Sequence, residues 1–336
     1  MARHHIDDWQ VDYPASVSWP IAGRRLLNYR ELRLTNSGSG PEICNRIDGV
    51  PVMRKSFATI VAIGSLASQG VAIAQSPAPI WDEAVGGVDT VFLEEMTAGE
   101  VAAALRSGFT SVIVATGGLE QNGPNVATGK HNVVLRATTE AIARKHGRML
   151  VSSIVQFVPE GQIDPPTEHM NFPGTISIRQ ETFEALLTDI CASLRQHGFR
   201  NIYLIGDSGG NTNGMENVAK ALDQEWAGDG VRVAHLPEYY ATDIWSFNYL
   251  KELGYTQMPD ELTAFRNNVH TDLHYESIMA VVDPATVRAG TRFARGGYVV
   301  HGVEIGSERE LIELGQKLID YRADITLEAI RKLNGQ

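Results

Sequence analysis

Residues 111–116, Ser-Val-Ile-Val-Ala-Thr, form a short, continuous apolar run that reads as a buried strand. A buried strand has to be covered, and the segments around it supply the cover. Thr97 followed by Glu100 reads as a capping box that opens a helix to Arg106. Residues 132–146 read as a helix with Leu135, Ile142 and Ala143 on one face. Met149 to Phe157 is strand-like. Glu181 to His197 is amphipathic and stops at Gly198, as a helix C-terminus should. Asn201 to Gly206 is a short strand, Met215 to Trp226 a helix, Val231 to Leu236 a strand, and 307–333 mostly helical. Short strands alternating with helices predict an α/β fold: a central parallel or mixed sheet flanked by helices on both faces. No internal repeat or linker interrupts 80–336, which therefore reads as one domain.

The amino-terminal part has a different character. Met53-Arg54-Lys55 precedes the apolar stretch Ser56 to Leu66, and Ala72-Ile73-Ala74 follows. A basic start, a short apolar core and an A-x-A end are the parts of a secretory signal peptide. The core is too short and too rich in Gly and Ser for a good membrane span. The reading is therefore a signal peptide over 53–74, a mature chain starting near Gln75, and a periplasmic or secreted protein with no membrane attachment after cleavage. Residues 1–52 read as a disordered upstream extension, with translation starting at Met53. The other reading of 56–74 is a helix buried in a larger fold. Of the two cysteines, Cys44 falls before the cleavage point and Cys191 in an apolar helical context, so the mature chain has no internal disulfide. A formal net charge of -11 argues against nucleic acid as a partner, because a basic face is expected there.

The residues able to carry chemistry gather where strands end. After 111–116 comes Gly117-Gly118-Leu119-Glu120-Gln121-Asn122-Gly123-Pro124-Asn125-Val126-Ala127-Thr128-Gly129-Lys130-His131. In open α/β sheets ligands bind at the carboxyl edge of the strands. A loop this rich in glycine bends without steric cost. A second cluster is Glu168-His169 within Pro165 to Thr175. A third is Gly206-Asp207-Ser208-Gly209-Gly210-Asn211, after a strand. A fourth, assigned to irregular chain, is His270-Thr271-Asp272-Leu273-His274-Tyr275-Glu276-Ser277. Each has a plain alternative: Asp207 could only cap the next helix, and a lone histidine usually satisfies a structural hydrogen bond. The Gly-Asp-Ser-Gly-Gly string resembles the nucleophile region of trypsin-like serine proteases, but here it links a buried strand to a helix. Imidazole and oxygen donors on one sheet edge suit zinc, manganese or iron(II). Tyr239, Tyr240, Trp245 and Phe247 could line a pocket or pack in the core.

Taken together, these motifs resemble the creatininase (creatinine amidohydrolase) family. Its members carry Gly-x-x-Glu-x-His-Gly-Pro-His after a strand, then Gly-Thr-Asp. Here Gly117 to Asn125 and Gly129-Lys130-His131 stand in those places. Glu168-His169-Met170-Asn171-Phe172-Pro173-Gly174-Thr175-Ile176-Ser177 is similar to the family's Glu-His-x-x-Phe-Pro-Gly-Thr-Ile-Ser segment. Gly206 to Asn211 resembles its Asn-Gly-His-Gly-Gly-Asn turn, and His270 to Ser277 its His-Ala-Gly-Glu-x-Glu-Thr-Ser stretch. The resemblance runs over about residues 90–330. It implies an α/β fold, a divalent-metal centre that is often binuclear, hydrolysis of cyclic amides and related C–N bonds of small molecules, and a homo-oligomer, often a hexamer.

The departures alter the expected site. Glu120 keeps the metal carboxylate. Asn122 stands where a metal-binding histidine is expected, His131 where the bridging aspartate is, and Ser208 at another histidine position, beside Asp207. The expected ligand set is Glu120, His131 and Asp207, with Asn122 ligating weakly or orienting water. Losing the bridging aspartate favours one ion over two, with zinc ahead of manganese or iron. The family's Glu is missing at Leu273, and Asp272, His274 or Glu276 are the candidates to replace it. His169 is the expected proton shuttle, oriented by Glu168. The backbone of Gly209 and Gly210 is the expected oxyanion site. Ser208 and His274 complete the substrate contacts. The implied activity is metal-assisted hydrolysis. Two rival readings are a lactone or ester hydrolase on the same site and a periplasmic binding protein with a degenerate metal site.

Overall fold

Along strand β1 (Ser111–Thr116), Val112 and Val114 join one apolar cluster and Ile113 and Ala115 another. The two-residue period of a strand sends successive side chains to opposite faces. Both faces must therefore be covered, and the computed structural model, which describes residues 87–240, 242–257 and 270–335, shows how. The proposed upstream extension (1–52) and signal peptide (53–74) lie outside the described residues. So do the side chains of 242–245, Trp245 among them.

β1 lies inside a four-stranded sheet of order β2-β1-β3-β4, with β2 Met149–Val151, β3 Asn201–Gly206 and β4 Arg232–His235, all parallel. Helix α1 (Ala98–Arg106) precedes the sheet and starts at the Thr97–Glu100 capping box. Parallel neighbours need crossovers, and α2 (Lys130–His146), α3 (Gln180–His197) and α4 (Thr212–Trp226) provide them. Phe183 and Leu187 of α3 and Val218 and Leu222 of α4 pack on the Val112/Val114 face. Leu135 and Ile142 of α2, with Ala323 and Ile330 of the last helix, pack on the other. Each of the Val, Leu, Ile and Phe side chains among these contributes about 1.5–3 kcal/mol when fully buried. α3 and α4 approach closely at Gly214, where a Cβ would lie 2.7 Å from Phe183 Cδ1. The α/β architecture with helices on both faces is the one the alternation predicts.

After α5 (Thr242–Glu252), helix α6 (Leu273–Val282), α7 (Ala289–Ala294), the β5–β6 hairpin (Tyr298–Val300 and Val303–Ile305) and α8 (Glu308–Leu333) build a further apolar cluster. Two expectations need correction here. The strand expected over 149–157 ends at Val151. Ser152 N still donates to Ile113 O, but the next bond to β1 comes from Val155, so the chain bulges between them. The stretch His270–Ser277 is helical from Leu273 onward, started by Asp272, whose side chain accepts from the N–H groups of His274 and Tyr275. No helix among the described residues is long and apolar enough to cross a membrane.

The strand order fixes where a ligand can sit. From β1 the chain runs to β2 on one side, then returns to β3 and β4 on the other. The loops leaving β1 and β3 therefore diverge and leave a crevice at the carboxyl ends of these strands.

Candidate functional site

Two asparagines hold the crevice loops in register. Asn211, after β3, donates through Nδ2 to Thr116 O and Gly117 O at the end of β1. Asn132, on α2, accepts from Gly118 N and donates to Gly118 O. Gly118 also backs onto Glu160, and a Cβ there would fall 2.0 Å from Glu160 Oε1. With backbone and side chains locked this way, Glu120 from the β1 loop, Lys130 and His131 from the start of α2, and Asp207 from the end of β3 are brought together, all buried.

Glu120 is the hub. Its Oε1 lies 2.8 Å from His131 Nε2, 3.1 Å from Lys130 Nζ and 3.5 Å from His270 Nε2. Its Oε2 lies 3.1 Å from His169 Nε2. On the far edge of the His131 ring, Nδ1 meets Asp207 Oδ2 at 2.8 Å. Asp207 Oδ1 in turn pairs with Arg322 Nη2 at 2.6 Å. Arg322, wholly buried on α8, also donates to Tyr239 O and lies over the Tyr239 ring.

These contacts set the charges. Burial pushes the Glu120 carboxyl up, but the Lys130 ammonium and His131 outweigh it and hold it well below the usual range. Burial also opposes ionisation of Asp207, yet Arg322 and His131 keep it low. His131 is depressed by burial and by Lys130, but Glu120 and its hydrogen bonds to both carboxylates leave it raised. Burial, then Lys130, drives His270 down to about 3. Burial lowers His169 as well. Glu160, buried and facing the Glu120 charge, is pushed up to about 8. At neutral pH the site thus offers two neutral imidazoles and one protonated carboxyl around an ionised carboxylate.

Glu120, Glu160, His169 and His270 open onto a cleft of about 390 Å³, whose lining also includes Glu168, Phe172, Ser208, Gly209, Gly210 and Tyr240. Its size suits a small molecule. Two buried or half-buried groups at its floor have donor atoms that all lie within 4.8 Å of one another: Glu120, Glu160 and His169, all on the lining, and Glu120, His131 and His270, of which His131 lies behind it. Glu160 Oε1 and His169 Nδ1 are buried and lack a hydrogen-bond partner. Mixed oxygen and imidazole donors with unsatisfied buried atoms fit a divalent cation.

Several expected residues stand elsewhere. Glu120, His131 and Asp207 come together, but not as one ligand shell. The two carboxylates meet opposite nitrogens of one imidazole, whose lone pairs diverge, so Asp207 sits behind His131 and its oxygens go to His131 and Arg322. Asn122 turns back into its own loop, donating to Glu120 O and Ala127 O. His274 is no lining residue: it is buried on α6, with Nδ1 2.6 Å from Asp272 and its ring against Tyr275. Ser208, Gly209, Gly210, Glu168 and His169 do line the cleft. Lys130, Glu160, His270 and Arg322 are absent from the expected set. Lys130 and His270 lie inside motifs already singled out, and Glu160 lies just ahead of the Pro165 to Thr175 segment. Arg322 carries no local signal in its long helix.

A sequence-family model described as creatinine amidohydrolase matches residues 94–298. Among curated relatives, a mycofactocin precursor peptide peptidase from Mycobacterium ulcerans is 30% identical over 128 residues, which is 36% of this chain and 49% of that protein. A 3-dehydro-scyllo-inosose hydrolase from Thermotoga maritima is 26% identical over 119 residues, 35% of this chain and 36% of that protein. The chain thus matches about half the length of the first relative and about a third of the second. Among solved structures, one titled "Creatininase Mn" has a TM-score of 0.51 at 20% identity, covering 72% of this chain and 98% of its own. A creatinine amidohydrolase crystal structure has a TM-score of 0.50 at 19% identity, covering 74% and 98%. At such identities the structural likeness is one of fold.

Proposed function

Because the chain belongs to the creatininase family, we propose that it hydrolyses an amide-type C–N bond of a small molecule, a cyclic amide for preference, at the cleft around Glu120. One observation carries this reading: a buried, ionised Glu120 is shared by two groups of closely spaced oxygen and imidazole donors that open onto a small-molecule-sized cleft. Both relatives above are named as hydrolases, one of them a peptidase that acts on C–N bonds.

Glu120, Glu160 and His169 would hold the divalent cation, with zinc, manganese and iron(II) all suited to such donors. When bound, the cation supplies an activated water and a polarised carbonyl. The chain's own residues do the rest. His131, fixed by Asp207, orients the Glu120 carboxylate. His169 and His270 stand neutral, with ring centroids 4.7 Å apart. His270, held neutral on the cleft, stands to hydrogen-bond the leaving nitrogen. Gly209 and Gly210, which line the cleft in the turn that opens α4, would offer backbone N–H groups to an oxyanion. Phe172 and Tyr240 give the substrate apolar contact.

The test is elemental analysis of the purified protein, followed by a screen of cyclic amides, imides and lactones with chelator-stripped and metal-reloaded protein. We expect stoichiometric metal and ring opening of a cyclic amide that stops on chelation and returns with metal. Turnover of lactones alone would replace the C–N reading with ester hydrolysis. Absence of both metal and turnover would leave a binding protein.

A further inference from the structure

We infer that the Lys130 ammonium occupies one of the two donor groups as a built-in cation, so that the centre takes a single divalent ion, on the Glu160–His169 side of Glu120. This rests on the reading of the cleft as a metal centre. Lysine is almost never fully buried unless its charge is paired, and Lys130 is fully buried at the first turn of α2. Its Nζ donates to His270 O at 2.6 Å and lies 3.1 Å from Glu120 Oε1. It also stands 4.6 Å from the centroid of the Tyr275 ring, an attractive place for a cation.

The two oxygens of Glu120 are therefore not equivalent. Oε1 faces Lys130, His131 and His270, whereas Oε2 faces His169. The donor group formed by Glu120, His131 and His270 lies on the Oε1 side, where the ammonium already stands. A divalent ion there would meet a fixed like charge at short range in a medium that screens poorly. Both nitrogens of His131 are also engaged, one with Glu120 and one with Asp207. The group formed by Glu120, Glu160 and His169 has no such occupant. It holds the buried Glu160 Oε1, which lacks a hydrogen-bond partner, and presents His169 Nε2 to Glu120 Oε2. The protein itself supplies a cation on the Oε1 side of Glu120, whereas the neighbours on the other side are the His169 imidazole and the Glu160 carboxyl.

The experiment loads the chelator-stripped full chain with manganese(II) alone and counts bound ions by elemental analysis and calorimetry, with electron paramagnetic resonance as a second readout. The expected result is one manganese per wild-type chain with the spectrum of an isolated ion. Lys130→Met is expected to admit a second ion and give an exchange-coupled pair, while Lys130→Arg stays at one. Two ions per wild-type chain, or a coupled spectrum, would overturn the inference without touching the metal reading, and neither measurement needs a variant to fold. A folded Lys130→Met that still takes one ion would overturn it too. A wild-type chain that binds no manganese would overturn the metal reading itself, a result the count separates from the others.

Discussion

Two clusters of buried charge in this molecule look alike in composition and differ in consequence. One is the chain Arg322–Asp207–His131–Glu120–Lys130 at the crevice between β1 and β3. The other joins Glu276 on α6 to Arg292 on α7 and Tyr298 on β5. Both sit inside apolar packing. In the second, Arg292 and Tyr298 both meet Glu276 Oε2, and the three groups tie α6, α7 and the hairpin together. In the first, Glu120 divides its oxygens between protein partners and a cleft, and two neighbouring polar atoms are left without partners. Buried charge is therefore no mark of a site by itself. Charge that converges on a cavity and leaves buried atoms unsatisfied is such a mark.

The largest expected effect tests that contrast on activity. Glu120→Gln should cut metal-dependent turnover by at least about 100-fold, the scale lost even when an outer partner of a metal ligand is removed. Glu276→Gln, assayed on folded protein, should leave turnover at the wild-type value. Equal losses in the two variants would break the comparison.

Stability sharpens it next. Removing one partner of a buried ion pair costs about 3–5 kcal/mol when the other stays charged. Asp207 is held ionised, so Arg322→Met should show that full cost in urea unfolding. Glu276 is raised by burial in spite of Arg292 and can go neutral at smaller cost, so Arg292→Met should be the milder change. The reverse order would show that the charge states are misassigned.

The smallest effect is a pair of opposite pH slopes. Asp207 has a lowered folded-state pKa, so its contribution is present above the ordinary value of 3.8 and is lost as pH falls through the folded value. Glu276 is raised, so its contribution is present below 4.5 and is lost as pH rises through the folded value. Unfolding midpoints followed from about pH 2 to about pH 8 should therefore have a shallower acid limb in Asp207→Asn and a shallower decline with rising pH in Glu276→Gln, the rest of each limb coming from Glu120 and Glu160. A variant with the wild-type slope would contradict the assignment for that residue.

What could be read in advance depended on how local the cause was. The apolar run 111–116, the Thr97–Glu100 capping box and the Gly198 stop are set by neighbours in the chain, and all three stand where the residues place them. The stretch 152–157 misled because its composition is strand-like while its pairing with β1 slips at a bulge. His274 misled because a histidine in a polar motif looks available, yet the helix started by Asp272 turns it inward. Asp207 had the right neighbourhood and the wrong place: proximity to His131 was legible, but which ring nitrogen it meets was not.

From its own residues the sequence determined the alternation of strands and helices, the crevice at the strand ends, and the presence there of Glu120, His131, His169 and the Gly209-Gly210 turn. Those follow from periodicity and loop chemistry, which act over a few residues. Only the tertiary structure decided that Lys130 presses on Glu120, that Glu160 and His270 share its cleft, and that Arg322, 115 positions beyond Asp207 in the chain, holds that carboxylate from behind. Such contacts depend on how packed helices and strands cross in space, and charges meeting across elements leave no pattern in the order of residues along the chain.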